Sequence, residues 1–240
     1  MEQYIYGRNT VMEALKGDKG IHKVCLLQKD SGIIELARKK NIPVEMVDKQ
    51  FCFQAVGKVV HQGILACIEE YKYFEVEEIL KDIPAGKQPT LLILDGLQDP
   101  HNLGAILRSA DAIGVDGVII GKHRSVKLNG TVAKVSTGAI DHVKVASVTN
   151  LTKTLESLKE KGYWVVGCDL SDKAQDYRQV DYNMPVALVM GSEGEGISRL
   201  VSKTCDLHVI IPMTGHVTSL NVSVATAVLL YQVHQSRHPL

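Results

Sequence analysis

From Thr90 to the end of the chain, short apolar runs alternate with segments of helical periodicity, and that alternation limits the fold more than any other feature. Thr90 to Leu94 is apolar without interruption, as in a strand covered on both faces in the middle of a parallel sheet. Further strands are expected over Gly117–Gly121, His142–Ala146, Tyr163–Cys168, Pro185–Met190 and Leu207–Ile211. Helices are expected between them. One is opened by Asn102 and closed by Gly114, one lies around Thr131–Ser136, one is capped by Asn150, and one starts near Ser198. The last, from about Leu220, is capped by Ser219. The pattern predicts an α/β domain with a mostly parallel sheet.

At 240 residues the chain has room for one large domain or two modest ones. Residues 1–72 read as a separate small α/β unit. Its expected helices cover Thr10–Leu15, Ser31–Asn41 with Ser31 as cap, and Gln50–Val60. Its expected strands cover His22–Leu27, Pro43–Val47 and Gly63–Ile68. Residues 73–89 are charged, lose periodicity and end in Pro84-Ala85-Gly86-Lys87-Gln88-Pro89, a linker with one short helix. The organisation is therefore 1–72, a linker over 73–89, and 90–240.

Composition removes several classes. Apolar residues make up 45% and charged residues 22%, ordinary globular values. No run of about 18 apolar residues suggests a membrane span. Met1-Glu2-Gln3-Tyr4 lacks a secretory pattern, so a cytoplasmic protein is expected. Cys25, Cys52, Cys67, Cys168 and Cys205 are scattered and read as reduced core residues. The net charge is zero, with 27 basic and 27 acidic residues, so bulk electrostatics do not announce nucleic acid. Locally, Lys122, Arg124, Lys127, Lys134 and Lys144 face only Asp141; this is a phosphate-tracking face or simply a solvated one.

In an open α/β sheet, ligands bind outside the carboxyl ends of the strands. Three loops fall there: Asp99 to Asn102, with Arg108 on the next helix; Gly191 to Gly196; and Met213 to Asn221. Gly191-x-x-Gly194-x-Gly196 has the wrong order for a dinucleotide fingerprint. It also has Ile197 where a phosphate-binding loop needs lysine. Glu193 and Glu195 would repel a triphosphate but suit a sulfonium cation or a phosphate-free nucleoside. Arg108 reads equally as a surface residue with its stem on the core, and Ser219 and Asn221 as plain helix-start residues. His101 and His216 have no partners at metal spacing, so no metal is expected. No G-x-S-x-G marks a hydrolase.

The run Leu94 to Ala110, carrying Asn102 and Arg108, resembles the first motif of the SpoU (TrmH-type) branch of the SPOUT RNA methyltransferases. Leu188 to Gly196 resembles the second, and Ile211-Pro212-Met213 through Ser219-Leu220-Asn221 to Ala225 the third. Val132 to Ala139 fits as well. Tyr6-Gly7-Arg8-Asn9 and His61-Gln62-Gly63 resemble the ribosomal-protein L30e-like substrate-binding domain found in the RlmB-like enzymes. Where the family usually has an Ala-Gly pair, Thr226-Ala227 stands here.

This resemblance implies a deep trefoil knot in the C-terminal domain and a homodimer with S-adenosylmethionine in the knotted loops. Gly191, Ile211 and Leu220 would hold that cofactor, with Met213, Thr137 and Gly138 as further contacts. Asn102, Arg108, Glu193, Ser219 and Asn221 would form the catalytic set. Arg8, Lys122, Arg124 and Lys127 would face RNA. The implied reaction is 2′-O-methylation of a ribose, a guanosine's, in 23S rRNA or a ribosome assembly intermediate. The alternatives are the same chemistry on tRNA, or an RNA-binding module without catalysis.

Overall fold

A computed structural model describes residues 3–17, 20–169, 171 and 173–238. The chain forms two compact units, Met1–Lys72 with Leu128–Gly138, and Tyr73–Lys127 with Ala139–Leu240.

The first unit contains β1 (Gln3–Tyr6), α1 (Arg8–Lys16), β2 (Ile21–Leu26), α2 (Ser31–Lys39), β3 (Val44–Met46), α3 (Lys49–Val56) and β4 (Ile64–Ile68). Its sheet runs β1-β4-β2-β3, antiparallel except for the β2–β3 pair. Val24, Cys25, Leu26, Leu65 and Ala66 are fully buried in it. β1 is a strand the apolar pattern did not reveal. The cap of α2 is Asp30, not Ser31: its carboxylate accepts from the Ile33 N–H at 3.1 Å.

The second unit follows with α4 (Val76–Lys81), β5 (Thr90–Leu94), α5 (Pro100–Ile113) and β6 (Gly117–Gly121). After α6 (Gly130–Ser136) come β7 (Val145–Val148), α7 (Leu151–Glu160), β8 (Trp164–Cys168), β9 (Gln175–Asp176) and β10 (Val186–Met190). The chain ends with α8 (Arg199–Thr204), β11 (Leu207–Ile210) and α9 (Val222–Arg237). Seven strands pair in the order β7-β6-β5-β10-β8-β11-β9, every pair parallel.

Helix α6 sits in the first unit. The Tyr6 hydroxyl lies 2.8 Å from Thr131 Oγ1, and a Cβ on Gly130 would come 2.2 Å from the Tyr4 carbonyl oxygen. Only glycine lets α6 lie that close to β1. The charged stretch over 73–89 is packed in the second unit: Ile79 is buried in its core, and the Phe74 N–H donates to Val145 O at 2.9 Å.

Burial on both faces explains the unbroken apolar strands. Leu91, Ile93, Ala187 and Val189 pack with Leu155 and Leu158 of α7 and Val201 of α8. Alternation sends Leu92 and Leu94 to the other face, and α5 packs against α9. The last turn of α9 is tied to the amino ends of the central strands. The Arg237 guanidinium donates to the carbonyls of Gln88, Pro89, Tyr182 and Met184 and to Thr90 Oγ1. β7 begins three residues later than expected, because Ala139–Asp141 forms a 3-10 turn first.

Candidate active site

The carboxyl ends of β10, β8 and β11 open onto one cleft of about 1060 Å³. Each loop is shaped by its own sequence. Asp99, with Pro100 at the first helical position, caps α5, its carboxylate accepting from the His101 N–H at 2.8 Å. Asn102 is therefore not the cap. It lies inside the first turn, 6% exposed, with its amide free for other contacts.

After β10 the chain makes a closed pinch. Ser192 and Gly196 exchange both backbone hydrogen bonds at 3.0 Å, and Glu193, Gly194 and Glu195 form the exposed tip. Gly191 is obligatory, since a Cβ there would lie 2.0 Å from the Gly196 carbonyl carbon. Asp95, after β5, accepts from the Ser198 N–H at 2.7 Å and locks the base of the pinch.

The loop after β11 behaves differently. From Met213 to Leu220 no backbone group bonds to another backbone group among the described residues. The cap of α9 is Asn221, not Ser219: Asn221 Oδ1 accepts from the Ser223 N–H at 2.9 Å. Ser219 is exposed and lines the cleft. Thr226 is fully buried, and its hydroxyl donates to Val222 O within the helix, so it leaves no unsatisfied group.

Three loops meet in one hydrogen-bonded network. Asn102 Nδ2 donates to Glu193 Oε1 at 2.6 Å. Asn221 Nδ2 donates to the same oxygen at 2.9 Å and to Asn102 Oδ1 at 3.0 Å. Two amides thus fix one carboxylate oxygen, and the other has no partner among the described residues. Gly191, Ile211, Met213 and Leu220 line the same cleft.

Arg108 is not in this network. Six residues beyond Asn102, it lies about 9 Å further along the helix and about 240° around it. It is exposed and makes no hydrogen bond or ion pair among the described residues. Lys122, Arg124 and Lys127 are exposed on the loop after β6, which is held by the Val126 N–H to Leu97 O at 2.7 Å. Arg8 is in the first unit, its Nε 2.9 Å from Asp30, and the guanidinium holds that carboxyl below its usual range. Thr137 and Gly138 close α6 with φ of 49° and 96° and group with the first unit, not with these loops.

Cleft residues outside the motifs include Cys168, Asp169, Ser171 and Ser202. Burial pushes the Cys168 thiol up to about 11, so it is a protonated wall at neutral pH and not a nucleophile. No Lys, Arg or His lines the cleft, and no cluster of metal-ligating side chains occurs among the described residues.

The description of the SpoU rRNA Methylase family matches residues 89–231, and that of RNA 2′-O ribose methyltransferase substrate binding matches residues 4–74. A Bacillus subtilis (strain 168) protein named for the TrmH family of tRNA/rRNA methyltransferases is 47% identical, over 99% of this chain and 97% of its own. A Staphylococcus aureus (strain MSSA476) relative with the same family name is 48% identical, covering 98% and 96%. Among solved structures, the AdoMet-bound rRNA methyltransferase of Sinorhizobium meliloti superposes with a TM-score of 0.77. It is 25% identical and matches 100% of this chain and 88% of its own. The SpoU methyltransferase AviRb of Streptomyces viridochromogenes shares the fold, with a TM-score of 0.78 at 22% identity over 99% and 91%. With its three strand-end loops joined around Glu193, this chain belongs to the SpoU rRNA methylase family and is an RNA methyltransferase.

Proposed function

We propose that this enzyme moves a methyl group from S-adenosylmethionine to a ribose 2′-hydroxyl, a guanosine's, of 23S rRNA or a ribosome assembly intermediate. The observation that carries the reading is the Asn102–Glu193–Asn221 network on the rim of a ligand-sized cleft. The residues present fit the donor. Met190, Ile211 and Leu220 offer apolar surface, the Met213–Leu220 backbone offers unpaired donors and acceptors, and Glu193 and Glu195, with no basic partner among the described residues, suit a cation. Gly191, Ile211, Leu220 and Met213 hold the donor; Thr137 and Gly138 lie outside the lining of this cleft.

Bound there, S-adenosylmethionine supplies an electrophilic methyl. The protein's task is to align the hydroxyl and take up its proton. Asn102 and Asn221 fix Glu193, whose open oxygen receives the RNA or the arginine. Ser219 shapes the substrate side. Arg108 is the activating residue. With a side-chain pKa above about 12, arginine is a poor base, so it serves better as the cation that steadies the developing alkoxide than as the proton acceptor. Arg108 is exposed and outside its own chain's network, which favours a homodimer in which one copy's Arg108 completes the other's cleft. Val217, Val224 and Tyr231, 65%, 48% and 57% exposed, offer apolar surface for that contact. The implied knot suits the second unit, because the chain passes from β11 beyond β8 and β10 to lay α9 on α5.

The unit over residues 4–74 matches an RNA substrate-binding description, and its resemblance to ribosomal-protein L30e is what favours rRNA over tRNA. Arg8 in the first unit, and Lys122, Arg124 and Lys127 in the second, are the proposed phosphate contacts, and the proposed location is the cytoplasm. Ribose methylation is to be mapped across rRNA and tRNA in cells lacking the protein, then after restoring it. One rRNA ribose should lose and regain its methyl; a tRNA site behaving so would move the substrate, and no change at any ribose would remove the reading. Arg108→Ala should abolish transfer while calorimetry still records donor binding. Turnover near wild type would take Arg108 out of the mechanism.

A further inference from the structure

The cleft holds a second fixed carboxylate on the far side of β10 from Asn102. Asp169 follows β8 directly, and its backbone N–H donates to Val209 O at 3.2 Å. Its Oδ1 accepts from the Ser171 N–H at 3.1 Å, and His208 Nδ1 lies 2.9 Å from Oδ1 and 3.1 Å from Oδ2. Its Oδ2 accepts from the Ser202 hydroxyl at 3.0 Å. These partners come from the turn after β8, from α8 and from β11. The Asp169 side chain keeps 14% of its surface exposed, and Asp169, Ser171 and Ser202 line the cleft. A carboxylate has about four acceptor positions; the Ser171 N–H, the Ser202 hydroxyl and the one His208 nitrogen shared between both oxygens use three, so an oxygen keeps one position open.

Sheet order says what that oxygen faces. β8 lies next to β10 and two places from β5. At a spacing of about 4.8 Å per strand, Asp169 is roughly 5 Å across the sheet from the Glu193 strand and roughly 10 Å from the strand leading to Asn102. Methyl transfer belongs to the Asn102–Glu193–Asn221 end. A group one to two strand spacings away meets the far end of the donor, its adenosine. The hydrogen-bond donors there include two ribose hydroxyls. A carboxylate fixed beyond the carboxyl end of a parallel strand is how open α/β sheets take ribose hydroxyls.

We infer that Asp169 is a donor-binding residue that accepts a hydrogen bond from a ribose hydroxyl of S-adenosylmethionine, with Ser202 and His208 as its positioning residues. This rests on the donor assignment made under Proposed function. Calorimetry on the full chain tests it, with S-adenosylmethionine, S-adenosylhomocysteine and the 2′-deoxy and 3′-deoxy forms of the latter. Asp169→Asn should raise Kd for both full ligands alike, by about 10- to 100-fold, since the hydrogen bonds lost are to a charged group. Wild type should discriminate against at least one deoxy form, and Asp169→Asn should not. Ser202→Ala should shrink that discrimination several-fold while Kd for the matching deoxy form stays put, a pattern that general loosening of the fold does not produce. It also keeps the inference testable if Asp169→Asn does not fold. Discrimination that stays at its wild-type size in either folded variant overturns the role of Asp169 alone. Wild type that binds neither full ligand overturns the donor assignment itself.

Discussion

The loops after β10 and β11 border the same cleft but are built in opposite ways. Gly191–Gly196 satisfies its own backbone by the Ser192–Gly196 pinch and is locked at its base by Asp95. Met213–Leu220 satisfies almost none of its backbone internally. One wall is therefore rigid before any ligand arrives. The other gains its partners from the ligand, and ordering it costs conformational entropy at that moment. Rigidity sits where Glu193 must be aimed, and adaptability where the donor must be wrapped.

The severest blow to the rigid wall is Gly191→Ala. Its Cβ overlaps the Gly196 carbonyl, so donor affinity should fall by more than about 100-fold, with the pinch sprung. Calorimetry together with circular dichroism would separate this from unfolding. Glu193→Gln keeps the shape but weakens the charge-assisted bonds from Asn102 and Asn221. Turnover should drop by roughly 10²- to 10³-fold, with donor Kd changed only a few-fold. An equal loss in both quantities would place Glu193 in binding and not in alignment. Hydrogen exchange reads the contrast directly. The Ser192 and Gly196 amides should be protected in the free protein, while amides over 213–220 should exchange fast and slow by about 10-fold or more with donor bound. Fast exchange in both loops would dissolve the distinction. The weakest expected effect is Gly215→Ala: a Cβ there meets nothing, so stability should stay within about 0.5 kcal/mol and donor affinity should be unchanged.

Buried parallel strands are written plainly in sequence, because burial on both faces forbids polar residues. β5, β6, β8 and β10 were legible for that reason. Helix starts were legible only in part: Asn150 caps α7 as its type suggests. Ser31, Asn102 and Ser219 are good capping residues by type, yet Asp30, Asp99 and Asn221 do the capping. Several residues near each start can cap, and tertiary contacts select one. Pro100 pointed to Asp99, which leaves Asn102 to turn inward to Glu193. β1 and the placement of α6 depend on residues more than 120 positions apart, and no local period carries that information.

The motifs named Asn102, Glu193 and Asn221 through resemblance, and spacing alone would not have joined them. Arg108 was grouped with them in sequence although its helix turns it elsewhere. Asp169, Ser202 and His208 left no trace to read: separations of 33 and 39 residues become contacts only because β8 and β11 lie side by side.

The clamp formed by Arg237 has a bearing on how the molecule is made. One guanidinium gathers carbonyls that precede β5 and β10, one of them 148 residues earlier in the chain. Residue 237 must have left the ribosome before those oxygens acquire their partner. The rear edge of the sheet is thus sealed only after β5 to β11 have all emerged, and a nascent chain stalled short of Arg237 would stay unlatched there.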